Sequence, residues 1–242
     1  VKPEALPRTQ LLSWLTQGTD LLRIHLAKLT DERITAPTVL DGWTVGHLLT
    51  HLARNADALS NLAHWAATGI ETPMYPGGPD QRLADIETGA ARPPTQIIDD
   101  VLAGADRLQS RLDALTPEAW TVQVRTAQGR TVTAALIPWL RVREVWLHLI
   151  DLGVGVTVDD FPDNLVDALL PDAFATLATR PGCPALVLRP QPHGTPLTSD
   201  GRGQRAIEVY GRPADLLVWI TGRGYGQLLT DNCSLPDLPA WL

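Results

Sequence analysis

Among the six histidines of the chain, three sit at spacings that bring side chains together. His47 and His51 are four apart in Gly46-His47-Leu48-Leu49-Thr50-His51. Glu144 and His148 are four apart in Arg143-Glu144-Val145-Trp146-Leu147-His148, and Asp151 follows three residues later. On a helix, residues four apart share a face with Cβ atoms about 5–6 Å apart, so each pair can converge on one point beside its helix axis. Facing helices of a bundle can join two such pairs, which is how buried metal centres are built. The competing reading is ordinary: histidines packed or solvated singly, with Glu144 in a surface ion pair with Arg141 or Arg143. Against it, Glu144 and His148 lie among Leu140, Val145, Trp146, Leu147 and Leu149. A helix apolar nearly all round is buried, and a buried carboxylate needs a partner. The pattern is not HExxH, so a metalloprotease has no support. His25, His64 and His193 lack a partner at ligand spacing and read as packed or solvated residues.

These pairs need helices to carry them. Leu11, Leu12, Leu15, Leu22 and Leu26 predict a first helix over residues 9–29. Asp41-Gly42-Trp43-Thr44 predicts a turn with Thr44 as N-cap of a second helix running to about residue 67. Residues 68–94 are rich in Gly and Pro and read as a long loop, a candidate lid or binding wall. A third helix is expected over residues 95–115, then a hairpin of residues 121–126 and 130–133 turning at Gly129. The fourth helix, residues 133–152, contains Pro138, which predicts a kink or a late start. Long helices joined partly by long crossings suggest a four-helix bundle.

Gly153-Val154-Gly155 reads as a seam, dividing the chain into domains 1–153 and 154–242. Beyond it the pattern changes to a helix over residues 162–179, strands near 185–189 and 206–210, and a helix over 213–221. The fold class is therefore α+β. A 242-residue chain that is 44% hydrophobic and 19% charged can bury a core without disulfide or metal staples. A net charge of −7 argues against a general nucleic-acid binder. The two cysteines, Cys183 and Cys233, exclude a disulfide framework and a thiolate-rich metal knuckle. No apolar run is long enough for a membrane span, and no basic segment followed by an apolar core is visible at the start. A cytoplasmic monomer working on small molecules is the expectation.

The stretch Asp41-Gly42-Trp43-Thr44-Val45-Gly46-His47-Leu48-Leu49-Thr50-His51-Leu52 resembles the second-helix signature of the DinB-like metal-binding bundles. Arg143 to Leu152 is similar to the fourth-helix signature of their mycothiol-dependent branch, and Ala214-Asp215-Leu216-Leu217-Val218-Trp219-Ile220-Thr221-Gly222-Arg223 to the closing motif of its second domain. The resemblance implies a DinB-like four-helix bundle followed by a small α/β domain of sterol-carrier-like build. It implies a Zn²⁺ held by His51, Glu144 and His148, with His47 in support and Asp151 accepting the other ring N–H of His148. Arg223 would hold a substrate carboxylate, for which its planar fork is suited; capping of its own helix C-terminus is the alternative.

Two neutral imidazoles and one carboxylate would leave a divalent zinc with net charge +1 and open positions, the arrangement of a catalytic site. The same ligands suit Fe(II). No cysteine of the chain has a metal-like setting, so the thiol is expected from outside, and the resemblance implies mycothiol. The implied activity is cis–trans isomerisation of maleylpyruvate to fumarylpyruvate. Addition of a thiolate makes the conjugated double bond single, the bond turns, and the thiolate leaves. Two other readings remain open at this point: a mycothiol S-transferase conjugating electrophiles, and a non-enzymatic zinc-dependent thiol-binding module. Metal-assisted hydrolysis is a weaker third, with His47 its only candidate base.

Overall fold

The computed structural model describes residues 3–199 and 205–241. The chain is α+β and forms two compact units, Pro7–Val154 and Gly155–Leu242 together with Val1–Leu6. No helix of the described residues is long and apolar enough to cross a membrane.

The first unit is built on four long helices: α1 (Arg8–Leu26), α3 (Val45–Thr68), α5 (Pro94–Asp113) and α6 (Ile137–Asp151). The short α2 (Asp31–Thr35) and α4 (Gly78–Ala90) lie between them. Helix α3 packs on α4, α5 and α6, and α1 packs on α6 and α5. Leucines one or two turns apart account for the interior: Leu15, Leu22 and Leu26 on α1, and Leu48, Leu52, Leu59 and Leu62 on α3, are all buried. Thr44 caps α3 as its sequence predicts. Its hydroxyl accepts from the His47 N–H while the His47 ring accepts from the Thr44 N–H, a reciprocal capping box. The predicted hairpin forms from β1 (Gln123–Arg125) and β2 (Thr131–Thr133), with Val124 opposite Val132. Pro138 resolves into a late start. A 3₁₀ turn, Ala134–Leu136, precedes α6, and the proline sits in the first helical turn, where its missing N–H would have had no partner.

Residues 68–94 differ from the expected loop: they contain α4. Gly77, Gly78 and Pro79 open it, and of its thirteen residues only Ile86 and Gly89 are buried. Two buried positions give no helical period to read, and Pro is acceptable at the start of a helix. Helix α2 was likewise not anticipated. It is a single turn capped by Thr30, with Ile34 its one buried residue.

In the second unit, α7 (Asp163–Ala178) and α8 (Pro213–Ile220) pack together, and α8 covers β3 (Leu186–Pro190) and β5 (Ile207–Gly211). Strands β3 and β5 pair in parallel, Leu188 opposite Val209. Two short antiparallel strands, β4 (Leu197–Thr198) and β6 (Leu229–Thr230), complete the order β4-β3-β5-β6. At two residues each they fall below any alternation that a sequence can display. Near the chain's end, Trp241 Nε1 donates to the Ala173 carbonyl of α7 at 2.9 Å.

An indole ties helix α6 to α1. Trp146 Nε1 donates to the Trp14 carbonyl at 2.9 Å, and its ring fills the space over Gly18, where a Cβ would come within 2.6 Å of Nε1. Gly18→Ala gains about 1 kcal/mol in helix propensity but overpacks this contact at about 1–3 kcal/mol. Its urea unfolding midpoint is expected below that of wild type; an unchanged or higher midpoint would show that the indole has room to retreat.

Candidate metal centre

His51 lies two turns into α3, and Glu144 and His148 lie one turn apart on α6. The packing of these helices brings one ligand atom of each residue to within 4.8 Å of the others. His51 Nε2 is 2.8 Å and His148 Nε2 3.5 Å from Glu144 Oε2, and the two rings meet edge to face at 5.0 Å. Two ligands on a tetrahedral ion at about 2.0–2.1 Å would stand about 3.3 Å apart, so the three donors need little rearrangement to take one. The set, two imidazoles and a carboxylate, fits a divalent ion with positions left over. Glu144 faces these two rings. Arg141 serves elsewhere: buried, it donates to the Leu52 carbonyl at 2.7 Å and to Asn55 Oδ1 at 2.8 Å.

Asp151 lies against His148, where the Nδ1–H donates to Oδ2 at 2.8 Å in a setting that leaves the carboxylate side chain 0% exposed. That bond keeps a proton on Nδ1 and turns Nε2 toward the cluster. His47 is placed differently. Its Nδ1 is taken by Thr44 and its Nε2 faces Glu87 of α4 at 3.3 Å. It therefore ties α4 to the start of α3, one turn before His51. Arg223 in the second unit donates through Nη1 to the Thr221 carbonyl at the end of α8, at 3.0 Å, and its guanidinium lies 5.7 Å from the Trp241 ring centre.

Three neighbours of the cluster were not singled out from the sequence. Arg82 of α4 donates through Nη2 to His51 Nδ1 at 3.0 Å. Its guanidinium also stands 5.4 Å from the Tyr75 ring centre. Trp43 packs its indole 5.5 Å from the His51 ring. Tyr75 sits in the segment before α4, which Asn61 holds by donating to the Pro73 and Met74 carbonyls at 3.3 Å each. Helix α4 is seated on α3 through Gly89, where a Cβ would lie 2.3 Å from Thr50 Cγ2. The quoted signature did include Trp43, but Tyr75 and Arg82 lie in the stretch that carried no period.

The electrostatics separate the two imidazoles. Burial alone would raise the Glu144 carboxyl, but hydrogen bonds from His148 and His51 hold it well below the usual carboxylate range. Burial lowers His51, and the hydrogen bond to Glu144 does not offset it. Burial also acts to lower His148, yet there the bonds to Asp151 and Glu144 prevail and the ring is raised above its ordinary 6.5. The asymmetry has a plain cause: His148 has a second carboxylate, Asp151, on its other nitrogen, and His51 has none there. A raised folded-state value stabilises fully below the unfolded value of about 6.5 and loses that contribution as pH rises through the folded value. In metal-stripped protein, Asp151→Asn should lower the His148 titration midpoint seen by NMR. It should also cost more stability at pH 6 than at pH 9. A midpoint that does not move would remove Asp151 as its cause.

Comparison with known proteins points to one family. The family model described as mycothiol maleylpyruvate isomerase N-terminal domain matches residues 15–153, which include all three residues of the cluster. No curated protein gives a match. Two solved structures are similar over 100% of both chains at 32% identity. One is a crystal structure of the mycothiol-dependent maleylpyruvate isomerase, with a TM-score of 0.93. The other is a variant of that enzyme with one histidine changed to alanine, with a TM-score of 0.94. The chain belongs to the mycothiol maleylpyruvate isomerase N-terminal domain family.

Proposed function

We propose that this protein is a mycothiol-dependent cis–trans isomerase converting maleylpyruvate to fumarylpyruvate, with a Zn²⁺ held by His51, Glu144 and His148. The observation that carries the reading is the convergence of these three donors from α3 and α6 in a chain that matches solved maleylpyruvate isomerases along its whole length. In domain terms, residues 1–153 are the DinB-like metal-binding domain and residues 154–242 the small α/β domain.

When bound, the metal and the thiol together would supply a thiolate at neutral pH, whose reversible addition to the conjugated double bond allows that bond to turn. The chain's residues do the positioning. Glu144 and two neutral imidazoles would offset part of a bound metal's charge and leave it cationic. Asp151 holds the proton on His148 Nδ1, so that Nε2 is the ligating atom. Trp43 packs against the His51 ring and fixes its plane. Arg82 stands against His51 from the α4 side, with Tyr75 beside its guanidinium. Arg223 is assigned to a substrate carboxylate, because a planar guanidinium binds one through two parallel hydrogen bonds and can stabilise charge developing on a conjugated carbonyl.

Metal analysis of the purified protein and an ultraviolet assay of maleylpyruvate with and without mycothiol test this reading directly. Turnover is expected only with both metal and thiol, with the thiol returned unchanged; steady consumption of mycothiol would indicate conjugation instead. His51→Ala, Glu144→Ala and His148→Ala should each lose bound metal and at least about 100-fold in activity. Stoichiometric metal in any one of them would remove that residue from the ligand set. Arg223→Ala should keep its metal and lose activity, and wild-type turnover would end its assignment.

A further inference from the structure

Arginine has only donors, so the contact of Arg82 Nη2 with His51 Nδ1 at 3.0 Å fixes the state of the ring: Nδ1 is bare and accepts. The neutral ring then carries its proton on Nε2, which donates to Glu144 Oε2 at 2.8 Å. Every polar atom of His51 is satisfied in this arrangement. His148 has the opposite arrangement. Its Nδ1–H is held by Asp151, and its Nε2 is the atom turned to the cluster, 3.5 Å from Glu144 Oε2.

Ligation through Nε2, which rests on the metal reading above, is therefore prepared at His148 and opposed at His51. A metal on His51 Nε2 takes the place of the proton there, and a neutral imidazole then carries its proton on Nδ1. That N–H would point at the N–H of Arg82, two donors 3.0 Å apart with no acceptor between them. A buried donor left in this way is costly, and His51 is 5% exposed. Arg82 is half-buried and belongs to α4, which is also attached to α3 through Gly89–Thr50 and Glu87–His47. The guanidinium can leave His51 without unseating its helix.

We propose that Arg82 is a positioning residue that exchanges partners when the metal binds: it caps His51 Nδ1 while Nε2 bonds Glu144, and it is expelled from that nitrogen when Nε2 becomes a ligand, which delivers a guanidinium beside Tyr75 for a carboxylate-bearing substrate. Loading the site thus sets a second cation next to the first. The charge fits an acidic substrate, and the order of events favours binding of the substrate after the metal.

Long-range ¹H–¹⁵N spectra of the histidine rings read the exchange without any turnover. Metal-stripped wild type should show His51 protonated on Nε2, and the zinc-loaded protein should show it protonated on Nδ1. Competition with a chromophoric chelator should show Arg82→Met binding Zn²⁺ about tenfold tighter than wild type, with Arg82→Lys, which keeps a charged donor, close to wild type. Maleate, a small dicarboxylate probe, should bind zinc-loaded wild type about tenfold tighter than zinc-loaded Arg82→Met. If wild type binds zinc with His51 shifted but with no proton on Nδ1, or if Arg82→Met binds zinc no tighter, the exchange is wrong while the metal centre stands. Equal affinity for maleate overturns the delivery of the cation. If wild type takes up no zinc, the metal reading falls and the exchange with it.

Discussion

A carboxylate set between two imidazoles on neighbouring helices is the constraint around which the first unit is arranged. Glu144 is largely buried, with its side chain 22% exposed, and burial by itself would favour its neutral form. It is held ionised by His51 across the helix interface and by His148 one turn along its own helix. The contact with His51 does not survive a shift of α3 against α6 by a fraction of a turn, whereas that with His148 lies within α6. The chemistry of the site is therefore also a statement about helix packing, and the packing residues belong to the mechanism as much as the ligands do.

Those packing residues share a device. Gly18 admits the Trp146 indole between α1 and α6, and Gly89 admits Thr50 between α4 and α3. Both glycines lie within helices, where the residue is unfavourable by about 1 kcal/mol, and both let a neighbouring side chain approach closer than a Cβ would permit. At the head of α3, the Thr44–His47 capping box sets where the helix begins, and so which turn carries His51. His47 then uses its other nitrogen on Glu87. A residue four before a ligand thus acts on the site through the helix that brings Arg82, rather than by touching the ligands.

The second nitrogens of the two histidines give the cluster its polarity. Burial makes the His51 ring less basic, while the bonds to Asp151 and Glu144 overcome burial at His148 and make that ring more basic. Two imidazoles of identical chemistry are shifted in opposite directions by their surroundings. Substitutions behind the rings are expected to tune the site more finely than changes to the ligands, which abolish it.

Much of this was legible in the residues alone. The long helices carry leucines at strict helical spacing, and the cap at Thr44, the turn at Gly129 and the late start at Pro138 each have a local chemical cause. Glu144 and His148, four apart on an apolar helix, marked themselves as a buried pair, and Asp151 lay one turn on. Helix α4 and the partners it brings were not legible, because a helix with two buried residues shows no period, and Tyr75 and Arg82 gain meaning only from what they face. Sequence by itself determined which side chains share a helix face, since that follows from 3.6 residues per turn. Only the tertiary structure decided which faces meet and which nitrogen of each imidazole is left bare, because those depend on contacts between residues far apart in the chain, as His51 and Glu144 are.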